Sequence, residues 1–108
     1  MISEEMFKDL ALSFPGTETT PHMERTGFRV RGKRMYATYL ASDHSTNIFL
    51  RPEEQAVFCK MDRKSIYALP NKWGEKGATT FELKTVRKEI LLEALLSAYQ
   101  DVIAGKKN

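Results

Sequence analysis

Cys59 is the only thiol in the chain, and His22 and His44 are its only imidazoles. They are the first candidates for nucleophilic, general-base or metal chemistry. Cys59 sits among Ala56, Val57 and Met61 in a stretch of helical pattern, with no histidine near it in sequence. That setting reads as a small apolar core residue, and a thiolate nucleophile would need a base delivered by the fold. The chain holds no HxxxH, HExxH or Cys-x-x-Cys spacing, so no metal site is predicted. His22 falls in a predicted strand, where it either orients the backbone or meets a ligand at the sheet surface. The adjacent carboxylates Glu4-Glu5 and Glu53-Glu54 fall in first helical turns, where the helix dipole accounts for them. No glycine pattern forms a GxGxxG or a P-loop. The expectation is a protein that binds rather than catalyses, without a cofactor.

Basic residues are the next candidates. Residues 1–28 carry a net charge of −3, residues 29–76 a net of +5 and residues 77–108 a net of +1. Four of the central cations, Arg29, Arg31, Lys33 and Arg34, surround Gly32. A basic face attracts polyanions, although an ordinary solvated surface would carry the same residues. A second basic stretch runs Pro70-Asn71-Lys72-Trp73-Gly74-Glu75-Lys76-Gly77. An exposed Trp73 between Lys72 and Lys76 suits stacking on a base while the lysines meet phosphates. The competing reading folds Trp73 over the core edge as a lid.

Elements must position these groups. Ser3 caps a predicted helix in which Met6, Phe7, Leu10, Ala11 and Phe14 recur at helical spacing, and Pro15-Gly16 stops it. Residues 19–25 read as an extended segment. In residues 27–31 apolar and basic side chains alternate, the period of a half-buried strand. Gly32-Lys33 turns the chain into a third strand over residues 34–40, with Met35, Ala37 and Tyr39 on one face and Tyr36 and Thr38 on the other. Residues 47–50 form a fourth strand, and Pro52 opens a helix running to about Met61. Residues 66–69 make a short strand, residues 70–77 a loop and residues 79–83 a last strand. Thr85 is placed to cap a final amphipathic helix running to Ile103, and residues 105–108 read as a frayed tail.

Short connections between consecutive strands predict an antiparallel sheet with helices packed on one face, an α+β two-layer sandwich. The 108 residues suit one domain with one core. No apolar run is long enough to span a bilayer, and the N-terminus has no basic-then-apolar leader. With a single cysteine and no disulfide, a cytoplasmic monomer away from membranes is expected.

The residues also carry a resemblance. Phe14-Pro15-Gly16-Thr17-Glu18, Pro21-His22, Phe28-Arg29-Val30-Arg31-Gly32-Lys33, Pro52-Glu53-Glu54-Gln55 and Trp73-Gly74-Glu75-Lys76-Gly77-Ala78-Thr79 follow in order, before a helix with Leu95, Ala98 and Tyr99. This ordered set resembles the MmcQ/YjbR family across nearly the whole chain. The resemblance implies a frataxin-like (CyaY-like) sandwich, a double-wing architecture and DNA as partner. By motif, the contact residues would be Arg29, Arg31, Lys33, Arg34, Lys72, Trp73 and Lys76. The chain departs from many relatives at Ala78, where they carry an aromatic residue. Iron handling, suggested by the frataxin-like fold, is not expected, because the first helix offers only Glu4, Glu5 and Asp9. A small-molecule or protein-binding module using the open sheet face is the alternative.

Overall fold

Ser3 Oγ accepts from the Met6 amide at 3.1 Å and starts α1 (Glu4–Leu12), which turns Phe7 and Ala11 inward. The computed structural model describes residues 1–106. From α1 the chain runs through β1 (Thr17–His22), β2 (Arg25–Val30), β3 (Met35–Leu40), β4 (Ser45–Phe49), α2 (Pro52–Met61), β5 (Ile66–Ala68), α3 (Lys72–Glu75), β6 (Ala78–Glu82) and α4 (Lys88–Ile103). Six strands form one sheet in the order β1-β2-β3-β4-β6-β5, and every neighbouring pair is antiparallel.

The three longer helices cover one face of that sheet. Phe7 of α1 meets Phe28 edge-on, with ring centroids 5.5 Å apart, and stacks on Tyr39. Phe58 of α2 lies against Phe81. Tyr99 of α4 lies against Tyr36 and Phe14. Burial of these rings, with Ile48, Leu91 and Leu95, forms the single core and supplies most of the drive to fold. The fold is the predicted α+β two-layer sandwich.

Local details differ from the sequence pattern. The predicted strand over residues 19–25 ends early, at His22, because Met23, with φ at 58°, reverses the chain and sets His22 opposite Arg25, the first residue of β2. No glycine or asparagine marks this turn. In β3 the register slips by one residue, so that Phe28 faces Ala37 while Arg29 faces Met35. The bulge places Tyr36 on the helix side with Ala37 and Tyr39, where its hydroxyl reaches the Ala11 carbonyl at 2.9 Å. Met35 moves to the opposite face, alongside Gly27. Strict alternation cannot anticipate an inserted residue.

At the far end of the chain, Thr85 does not cap the final helix. Its hydroxyl pairs with Ser65 Oγ at 2.6 Å, and α4 begins after Arg87. That helix closes with Gly105 at φ 75° and with bonds from Gly105 N to the Val102 carbonyl and from Lys106 N to the Asp101 carbonyl, the Schellman pattern. The start of the predicted frayed tail is therefore hydrogen-bonded. Its last residues, Lys107 and Asn108, lie outside the described residues.

Candidate nucleic-acid interface

Strand order decides which loops meet. The β2–β3 turn follows Val30, and β3 begins at Met35. Ala37 pairs with Ile48 near the end of β4, and Phe49 pairs with Ala78 at the start of β6. The basic turn and the Trp73 segment therefore lie at the same end of the sheet. The midpoints of the β2–β3 and β6–β5 pairs are separated by three strand spacings, about 14 Å.

On the hairpin, Arg29 and Arg31 project from the face opposite Phe28, and both reach Glu18 on β1. Arg29 Nε lies 2.9 Å and Arg31 Nε 3.4 Å from the Glu18 carboxylate. The Arg29 hydrogen bond, aided by Arg31, holds that carboxyl below its ordinary range. Arg31 keeps 86% of its side chain exposed and Arg29 43%. Lys33 is exposed at the turn. Arg34 precedes β3 and donates to the Lys106 carbonyl, which ties the turn to the end of α4. The sequence reads four equivalent cations here. The structure separates them into Lys33, without an ion-pair partner among the described residues, the exposed Arg31, the more tightly paired Arg29 and the anchoring Arg34.

The predicted loop over residues 70–77 contains a helical turn. Asn71 Oδ1 accepts from the Trp73 amide at 3.0 Å and from Gly74 at 3.2 Å, which is N-cap geometry. Trp73 is 64% exposed, with Lys76 Nζ 5.4 Å from its ring centroid. The indole is therefore not a lid on the core. Lys72 and Lys76 flank it in solvent. Two glycines seat this turn. A Cβ on Gly74 would lie 1.7 Å from the Leu69 carbonyl oxygen, and one on Gly77, at φ 119°, would lie 1.9 Å from that of Leu50. Gln55 completes the seat. Its Nε2 donates to the carbonyls of Gly74 at 3.0 Å and Ala78 at 3.1 Å, and to Thr79 Oγ1 at 3.1 Å.

Gln55 and Asn71 were legible only as members of motifs, and their roles needed the fold. Ala78 is 1% exposed at the start of β6, so it adds no surface to the Trp73 platform.

Between the two loops, Arg51 contacts Glu53 at 3.0 Å and Glu54 and Asp101 at 3.4 Å. Burial raises the Glu54 carboxyl above its usual value. The Arg51 backbone N–H opposes that rise, and Asp101 adds to it. Asp101 is 5% exposed, and its Oδ2 lacks a partner among the described residues. Arg51 is thus spent on internal carboxylates.

The residues first considered for catalysis are dispersed. Cys59 is half-buried, and burial pushes its thiol up. His44 bridges the Tyr39 hydroxyl at 3.0 Å and the Ile2 carbonyl at 2.7 Å, while His22 is exposed on β1. Among the described residues no group of three or more His, Cys, Asp or Glu side chains converges. No helix among them is long and apolar enough to cross a membrane.

No family model and no curated protein matches the sequence. Among solved structures, the chain is similar to the crystal structure of Deinococcus radiodurans protein DR2400, which carries a DUF419 domain. The TM-score is 0.74 at 25% identity, covering 92% of this chain and 77% of that one. This two-layer sandwich is thus similar in fold to a DUF419-domain protein.

Proposed function

We propose that this domain is an MmcQ/YjbR-type nucleic-acid-binding module that acts without catalysis. The observation that carries the reading is the exposed Trp73 indole, backed by Lys76, at the sheet end that also presents Arg31 and Lys33. An aromatic face with flanking cations stacks on a base and holds the neighbouring phosphates. The ordered motifs and the fold shared with a DUF419-domain protein support the same reading. Arg29 and Arg34 belong to the surface but give part of their charge to Glu18 and to the Lys106 carbonyl.

Fluorescence anisotropy of labelled duplex and single-stranded DNA across a salt series tests it. Low-salt binding is expected in the range of about 10⁻⁴ to 10⁻⁶ M, with a slope of about 0.9 per neutralised phosphate on duplex. Replacing Arg31, Lys33, Lys72 and Lys76 by Ala should weaken binding and flatten the slope by up to about four units. Trp73→Ala should weaken single-strand binding most. No binding at low salt, or identical curves for wild type and the quadruple variant, would overturn the proposal.

A further inference from the structure

The uncovered face of the sheet holds a polar trough. Register places Thr38, Ser45, Asn47, Thr80 and Glu82 on this face, opposite the helices. Residues on an open sheet face are ordinarily wet. Here Thr38, Ser45 and Asn47 are only 1%, 3% and 8% exposed, because longer side chains rise around them. The space they enclose is about 430 Å³, lined by Arg25, Asp43, Ser45, Asn47, Tyr67 and Glu82 among others.

The lining is bipolar and incompletely paired. Arg25 reaches over Thr38, and the only hydrogen bond of its side chain among the described residues is a 3.4 Å contact from Nη1 to Thr38 Oγ1. Arg25 and Asp43 line the same trough yet form no ion pair among the described residues. Thr80 donates to Asn47 Oδ1 at 2.8 Å, which leaves the Asn47 amide N–H₂ and the Ser45 hydroxyl without partners among the described residues. On the β5–β6 side, Tyr67 donates to the Glu82 carboxylate. Leu40, Ser45 and Glu82 form one cross-strand row. Arg25, the residue before Thr26 in β2, faces the β3 end of that row. Its Cα and that of Glu82 are therefore about 14 Å apart. With Arg25 and Glu82 both lining the trough, the span between them suits a ligand of a few heavy atoms.

A solvated face would carry long charges over small gaps, and a protein-docking face would carry apolar groups. Small polar floor residues between opposite charges that form no ion pair among the described residues fit neither. We propose that the trough is a binding site for a small zwitterion of the amino-acid class. Its carboxylate would meet Arg25, Ser45 and the Asn47 amide, and its ammonium would meet Glu82 and Asp43. The trough adjoins the Trp73 segment through Pro70 and Asn71, but its proposed ligand does not depend on the nucleic-acid reading.

Titration of the ¹⁵N-labelled protein with each free L-amino acid, followed by amide shifts, tests this. At least one should move the Ser45, Asn47, Thr80 and Glu82 amides by about 10 mM ligand. Its N-acetyl and carboxamide derivatives should bind at least about tenfold more weakly, because each removes one of the two charges that the site pairs. Arg25→Gln and Glu82→Gln should each cost a similar factor. Asn47→Asp keeps the acceptor for Thr80, removes the free N–H₂ and adds a repelling charge, so it should lose binding without loss of fold. If no free amino acid moves these amides at about 10 mM, or the blocked derivatives bind equally well, the proposal is wrong.

Discussion

Gln55 Nε2 lies 3.0 Å from the Gly74 carbonyl oxygen, so a side chain from the first turns of α2 holds the backbone directly beneath the exposed Trp73. The same nitrogen serves Ala78 and Thr79. One carboxamide thus fixes α3 against β6, and the orientation of the tryptophan follows from it. Gln55→Leu removes a donor shared by acceptors that keep other partners, since Gly77 N also serves the Gly74 carbonyl and Leu69 N the Ala78 carbonyl, and should destabilise the fold by about 0.5–1.5 kcal/mol. Urea unfolding measures the loss. Faster amide exchange at Trp73 and Gly74, with protection of α4 retained, would localise it. Unchanged exchange in α3 would remove Gln55 from this role.

Gly74→Ala places a methyl group where the Leu69 carbonyl already lies. The turn must shift, at about 1–3 kcal/mol as for other overpacked sites. Trp73→Ala removes a solvent-facing ring and should change stability by no more than about 0.5 kcal/mol. Thermal melts of the two variants should therefore separate clearly. Equal melting temperatures would contradict the close approach at Gly74.

Cys59 is half-buried against the core, and burial raises its thiol pKa. At neutral pH a disulfide reagent should label native protein slowly and denatured protein fast, because the thiolate is the reacting form. Labelling at the same rate in both states would mark an exposed thiol.

Tyr36 contributes to the alkaline limb of stability beside Tyr67, whose hydroxyl the hydrogen bond to Glu82 also raises to about 12. Burial raises its hydroxyl pKa to about 12 from 10.0, opposed by the hydrogen bond with Thr17. The folded state thus favours the neutral phenol. Its contribution is complete below the unfolded value of 10.0 and is lost as pH rises toward about 12. The loss should be roughly 2–3 kcal/mol. Denaturant titrations from pH 9 upward measure it, at about one-unit steps. Tyr36→Phe should be less stable at neutral pH, through the unpaired Ala11 carbonyl, and should show a flatter alkaline fall. An equally steep fall in that variant would assign the limb to other groups.

Periodicity along the chain was enough to announce the four-residue basic turn, the amphipathic α1 and α4, and the alternation of β2. Each of these depends on neighbours within a few residues, where side-chain direction follows directly from backbone repeat. The antiparallel, one-sided sandwich followed from short connections between strands. The bulge that turns Tyr36 toward α4 was hidden, because nothing local distinguishes an inserted residue from the regular pleat. Hidden too was the sharing of Glu18 between Arg29 and Arg31, which needs β1 laid beside β2 in one register. Lys33 and Trp73 stand at one end of the sheet because β6 pairs with β4 and carries β5 outside it. That order is chosen by the packing of α2 and α4 against the sheet, an energy summed over residues far apart in sequence.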